Sequence, residues 1–194
     1  MHNSFPRIHV ITDSLDVIRA VAGQDDVAVQ IRVKTTDAQA YALTLAALEI
    51  LRPAGTLCLV NDRIGVALAA GADGVHLGAD DLPIDAARRV LGPSAVIGAT
   101  CRNPTSAREA VAAGASYLGT GPAFATSTKD GLPPPIGPAG VAAVVDAVPG
   151  VPVLAIGGIT ADRVPVLPSH GVAAIGAFVV DPKRAVAEFI EALR

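Results

Sequence analysis

Short apolar runs rich in β-branched residues recur along the whole chain, each followed by an alanine- and leucine-rich stretch of helical character. Eight such runs stand out, at 8–12, 27–31, 56–60, 74–77, 95–98, 116–120, 152–156 and 172–176. They are apolar nearly throughout rather than alternating, the pattern of parallel strands covered on both faces. Polar punctuation falls between them. Ser14 precedes the first helix, Thr36-Asp37 opens a long one through Leu51, Asn103-Pro104 opens one through Ala113, and Asp181-Pro182 starts the last. Side chains of this kind accept the unpaired N–H groups of a first helical turn, and proline suits the first helical position. Gly71, Gly114 and Gly171 fall where helices should end, and a left-handed glycine there would turn the chain into the next strand.

Eight strand-helix units with no break in composition predict an α/β fold, a single-domain (β/α)8 TIM barrel over residues 1–194. The alternative, a doubly wound open sheet, would carry a glycine fingerprint after its first strand; Thr12-Asp13-Ser14-Leu15 offers none. With 51% hydrophobic and 3% aromatic residues among 194, the core must be aliphatic. Mean hydropathy is +0.49, yet the apolar runs are short and cut by Gly, Pro or charge, which predicts no membrane helix. The N-terminal Met1-His2-Asn3-Ser4-Phe5-Pro6-Arg7 lacks the apolar region of a signal peptide, so a cytoplasmic location is expected. A net charge of -3 without a long basic block argues against nucleic-acid binding. Cys58 and Cys101 have no partners at zinc-ligand spacing and are expected to be free thiols.

In a barrel the chemistry sits where strands end. Gln30, Arg32 and Lys34 alternate with Val29, Ile31 and Val33, so one face receives all three polar side chains. Asn61 and Asp62 follow the third strand and Asp81 the fourth. Either Asn61 or Asp62 would serve as a helix cap, and Asp81 as a turn residue; as neighbours on one rim, Asp62 and Asp81 would also suit a magnesium ion, which takes one or two carboxylates and leaves its other positions to water and phosphate. Thr100 offers a hydroxyl. After the sixth strand comes the longest loop, holding Thr126, Ser127, Thr128 and Lys129 and then a Pro/Gly stretch as far as Pro138, which reads as a phosphate-facing lid or a plain surface loop. Gly157-Gly158 and Ile175-Gly176 end the last two strands, where barrels often hold phosphate on main-chain amides. His76 and His9 are candidate proton carriers or structural histidines. Ser-His-Asp, H-E-x-x-H and P-loop patterns are missing, which sets aside protease, metallopeptidase and NTPase readings.

Taken in order, Ile11-Thr12-Asp13, the Q-x-R-x-K row, Asn61-Asp62, Gly74-Val75-His76-Leu77-Gly78 with Asp81, Gly121-Pro122, the T-x-T-K of Thr126 to Lys129, and Gly157-Gly158-Ile159-Thr160 make the chain resemble the thiamine-phosphate synthase family along nearly its whole length. The resemblance implies a small barrel that joins 4-amino-5-hydroxymethyl-2-methylpyrimidine diphosphate to thiazole phosphate, or its carboxylated form, by dissociative substitution at the pyrimidine methylene, with Mg²⁺ as cofactor. It implies that Gln30, Ile31, Arg32, Val33, Lys34, Asn61, Thr100 and Lys129 hold the pyrimidine diphosphate, with Arg32, Lys34 and Lys129 also catalytic. Asp62 and Asp81 would hold the metal, and Thr126, Ser127, Thr128, Gly158, Ile175 and Gly176 would meet the thiazole phosphate. Thr100 and Gly176 stand where many members have serine; the first keeps the hydroxyl and the second loses it. A thiazole tautomerase of related fold, working through a histidine, and a non-catalytic phosphate-binding barrel are the alternatives. A homodimer through an apolar helix face is left open.

Overall fold

The computed structural model describes residues 5–128 and 131–194. Eight parallel strands, β1 (Ile8–Thr12), β2 (Val27–Ile31), β3 (Leu57–Asn61), β4 (Gly74–Leu77), β5 (Val96–Cys101), β6 (Tyr117–Thr120), β7 (Val153–Ile156) and β8 (Gly171–Ala174), pair in sequence order and close β8 onto β1. This is the TIM barrel that the hydropathy pattern predicts. Helices α1 (Leu15–Val21), α2 (Asp37–Leu51), α3 (Ile64–Ala70), α4 (Ile84–Leu91), α5 (Pro104–Ala112), α6 (Gly137–Ala147) and α7 (Pro182–Ala192) surround it. Ser14, Thr36, Asn103 and Asp181 cap their helices by accepting main-chain N–H bonds, as their residue types require.

Four details differ from the sequence expectation. β5 runs on to Cys101, so Thr100 is a strand residue and Asn103 alone caps α5. Between β7 and β8 there is no α-helix: the connection is a 3-10 turn, Ala161–Val166, containing Pro165, which has no N–H to continue an α ladder. Gly71 and Gly114 do adopt left-handed φ values of 70° and 99°, whereas Gly171 is the first residue of β8 and is needed for another reason. A Cβ there would lie 2.1 Å from the Arg7 carbonyl oxygen, so only glycine lets the first and last strands close the barrel. β8 itself ends at Ala174, and Gly176 opens a second 3-10 turn, Gly176–Phe178.

Strand register divides the side chains into two sets. Ile8, Val10, Val29, Ile31, Cys58, Val60, Val75 and Ile97 point outward and meet the helices in the apolar clusters that surround the barrel. Each such aliphatic burial contributes roughly 1.5–3 kcal/mol, which makes this annulus the main source of stability. The inward set is layered. At the amino end of the strands Leu57, Leu59, Val96, Leu154 and the Tyr117 ring pack together with Phe5, whose ring centroid is 4.9 Å from that of Tyr117 and 5.4 Å from that of His9. The Phe5 carbonyl is 2.8 Å from His170 Nε2, which fastens this plug. Against this layer the interior turns polar, with His9, Gln30 and His76 around a void of only about 10 Å³. Both cysteines are buried and in no disulfide, and burial pushes the Cys58 thiol up to about 12 and that of Cys101 to about 11. Among the described residues no helix is long and apolar enough to cross a membrane.

Candidate active site

Gln30 is registered with Ile11 and Leu59 in the inward set, and Arg32 and Lys34 continue its parity past the end of β2. The row therefore shares one side but occupies three depths. Gln30 is 3% exposed, inside the barrel beside the Tyr117 hydroxyl. Arg32 is half-buried, its N–H donating to the Thr12 carbonyl at 3.0 Å, and Lys34 is exposed. Arg32 and Lys34 line a cavity of about 310 Å³ together with Thr12, Asp13, Ser14, Thr128, Ile175, Phe178 and Val179. Ile31 and Val33 have the opposite parity and pack among the outer apolar clusters. Their side chains thus face the helices, and the groups they offer a ligand are those of the main chain.

The acidic residues follow on the adjoining arc of the rim. Asp62 N–H donates to the His76 carbonyl at 2.9 Å, and its φ of 62° is a left-handed conformation that costs a non-glycine residue roughly 1–2 kcal/mol. Neither Asn61 nor Asp62 caps α3; the cap position is Arg63, without a side-chain cap bond. The ordinary explanation for these two residues is thereby removed. Asp81 bends back so that Gly78 N–H donates to its Oδ2 at 2.7 Å. Asp62 and Asp81 are thus both tied to the carboxyl end of β4, at residues 76 and 78. Among the described residues no three His, Cys, Asp or Glu gather into a metal cage. Two aspartates on adjoining loops are too few for zinc, whereas magnesium takes one or two carboxylates and is completed by phosphate and water, so the residue types fit that ion.

His76 points inward between them, its Nδ1 3.0 Å from the Tyr117 hydroxyl and its Nε2 3.0 Å from Thr100 Oγ1. Its socket exists because Gly98 and Gly119 flank it: a Cβ at either would approach the ring to 2.5 Å and 2.9 Å. Although the residue keeps some exposed surface, the crowding walls push its pKa down to about 4, against a smaller upward pull from Asp81. With both nitrogens engaged and the proton held off, it is ill suited to carry protons at neutral pH.

The loop after β6 is fastened at its neck. Ala123 and Phe124 N–H donate to the carbonyls of Ile156 and Gly157, and Ile136 N–H to that of Pro122. Arg163 donates to the Gly158 carbonyl at 2.7 Å and stacks 4.9 Å from the Phe124 ring centroid, while Arg102 reaches the Pro134 carbonyl at 2.8 Å. Beyond the neck, Thr128 N–H donates to Thr126 Oγ1, and Thr128 itself joins the wall containing Arg32 and Lys34. Ser127 lies exposed between them, and Lys129 falls outside the described residues. A Cβ on Gly158 would stand 2.5 Å from the Ala125 carbonyl oxygen, so what this glycine admits is the β6 loop. Ile175 lines the cavity, whereas a Cβ on Gly176 would meet nothing within 4 Å.

The cavity thus gathers Arg32, Lys34, Thr128 and Ile175 from the expected set. Asn61, Asp62, Asp81, Thr100, Thr126, Ser127, Gly158 and Gly176 occupy the rest of the rim outside that cavity's lining. Sequence reasoning overlooked Thr12, Asp13, Ser14, Phe178 and Val179 as walls, although the first three end and directly follow β1 and the rim rule alone points to them.

Sequence and structure comparisons give the chain its relatives. A thiamine-phosphate synthase of Salinispora arenicola is 53% identical, the match covering 98% of this chain and 99% of that protein; one of Salinibacter ruber is 42% identical over 98% of this chain and 89% of its own length. The solved structure of a thiamine phosphate pyrophosphorylase from Pyrococcus furiosus superimposes with a TM-score of 0.86 at 32% identity, covering 97% of this chain and 95% of that one. The family model described as thiamine monophosphate synthase matches residues 7–179, and with these relatives it establishes that the chain belongs to the thiamine monophosphate synthase family.

Proposed function

We propose that the chain condenses 4-amino-5-hydroxymethyl-2-methylpyrimidine diphosphate with thiazole phosphate to give thiamine phosphate and diphosphate, as a magnesium-dependent cytoplasmic transferase. The observation that carries this reading is the joining of Arg32, Lys34 and Thr128 in one cavity at the mouth, with Asp62 and Asp81 on the loops after β3 and β4 of the same rim. The reaction suits a site rich in charge and poor in bases. A neutral thiazole nitrogen that attacks the pyrimidine methylene becomes a thiazolium without releasing a proton, so the barrier lies in cleaving the C–O bond to diphosphate. Arg32, Lys34 and Lys129 neutralise the charge that grows on that leaving group, in a cleft where such contacts act with little reorganisation. Asp62 and Asp81 would hold the magnesium ion, which when bound adds positive charge at the diphosphate oxygens. The β6 loop covers the cleft and keeps water from capturing the pyrimidine cation. The tautomerase alternative loses support because the histidine it needs is tied on both nitrogens and titrates near 4. The test is product analysis with the two purified substrates: thiamine phosphate forms with Mg²⁺ and not with excess chelator. Absence of product under both conditions, with the pyrimidine diphosphate still bound in calorimetry, favours a phosphate-binding barrel instead.

A further inference from the structure

Arg63 lies between the two charged arcs of the rim and belongs to neither. It follows Asp62 at the start of α3, yet its guanidinium crosses to the loop after β2. One terminal nitrogen donates to the carbonyls of Val33 (3.2 Å) and Thr35 (2.8 Å), and the other pairs with the Asp37 carboxylate. The two carbonyls are those on either side of Lys34, so a single planar group grips the main chain before and after a cation of the cavity wall. Its side chain is 25% exposed, and it is not among the residues lining the cavity. A lysine could not substitute, because one ammonium nitrogen lacks the two-pronged reach that serves three acceptors at once.

We infer that Arg63 is a positioning residue for diphosphate recognition, holding Lys34 at a fixed place relative to Asp62. The inference rests on the reading of Lys34 as a diphosphate contact. An ångström of misplacement at a reacting centre can cost on the order of 100-fold in rate. Steady-state kinetics of R63Q, R63K, K34A and the double variant R63Q/K34A are therefore compared, varying each substrate in turn, with urea midpoints measured alongside. Expected are a fall of about 30-fold in kcat/KM for the pyrimidine diphosphate in R63Q, an unchanged KM for the thiazole phosphate within about twofold, and little rescue by R63K. In the K34A background the Arg63 change should add less than about threefold, since residues acting through one group are not additive. If K34A is impaired and the two losses multiply, or if R63Q weakens both substrates alike in step with stability, the role of Arg63 is overturned while the site reading stands. If K34A matches wild type, the site reading fails and this inference with it.

Discussion

The two halves of the barrel mouth are built by opposite means. After β2, β3 and β4 the loops are short, and their charged residues are set by specific hydrogen bonds: Arg63 to the carbonyls flanking Lys34 in the preceding loop, Asp62 to His76 of the adjacent strand, Asp81 to Gly78 of its own loop. After β6, β7 and β8, Gly157 and Gly158 at φ 95° and 63° make room for a long loop whose neck is held by main-chain bonds and by Arg163. One half is wired and the other is hinged. A leaving group whose charge must be met at a fixed place asks for the first; a cover that must admit two substrates asks for the second.

The largest effect should come from the wired half. Asp62→Ala is expected to lower kcat by at least about 100-fold, the scale of one lost preorganised contact, while the circular dichroism spectrum is retained; a near-normal rate would remove Asp62 from the chemistry. Lys129→Ala tests whether the hinged half also delivers charge, with a drop of similar size expected in the same assay. If only Asp62 matters, the β6 loop is a cover and nothing more.

Acid should expose the polar interior beneath the wired half. Burial lowers the pKa of His9 to about 3 and that of His76 to about 4, both from 6.5. Between about 6.5 and those values the unfolded chain binds protons that the folded one refuses, so stability falls as pH drops through that window, at up to roughly 1.4 kcal/mol per pH unit for each histidine. Urea midpoints from pH 7 to 4 measure this, and His76→Gln should flatten the slope; a midpoint independent of pH would contradict the burial. In the hinged half, Gly158→Ala puts a Cβ against Ala125 and an L-residue into a left-handed turn, expected to cost roughly 1–3 kcal/mol and to raise the yield of hydroxymethylpyrimidine released by water. Unchanged partitioning would mean that loop order does not protect the cation. Smallest of all, Gly176→Ser should leave the melting temperature within about 2 °C, because its Cβ enters open space, and tighten KM for the thiazole phosphate a few-fold; no change in KM would show that the position does not face that substrate.

What could be read in advance follows the same division. Strand order, helix caps and the inward parity of Gln30, Arg32 and Lys34 depend on local pattern, and each appears in the chain as written. Depth did not: the alternation that aligned those three could not place Gln30 under the floor of the cavity, because depth depends on where β2 ends relative to its neighbours. Asp62 read as a cap or a metal ligand, and nothing in Asn-Asp-Arg announces a left-handed backbone or an arginine that reaches back to an earlier loop. Gly158 and Gly171 were visible as glycines but not as contacts, because what they make room for lies far away in sequence.

The Phe5 plug has a kinetic consequence. With aromatic rings sealing the floor and side chains filling the interior above it, the barrel offers ligands no way through, so both reactants arrive and both products depart past the same threshold.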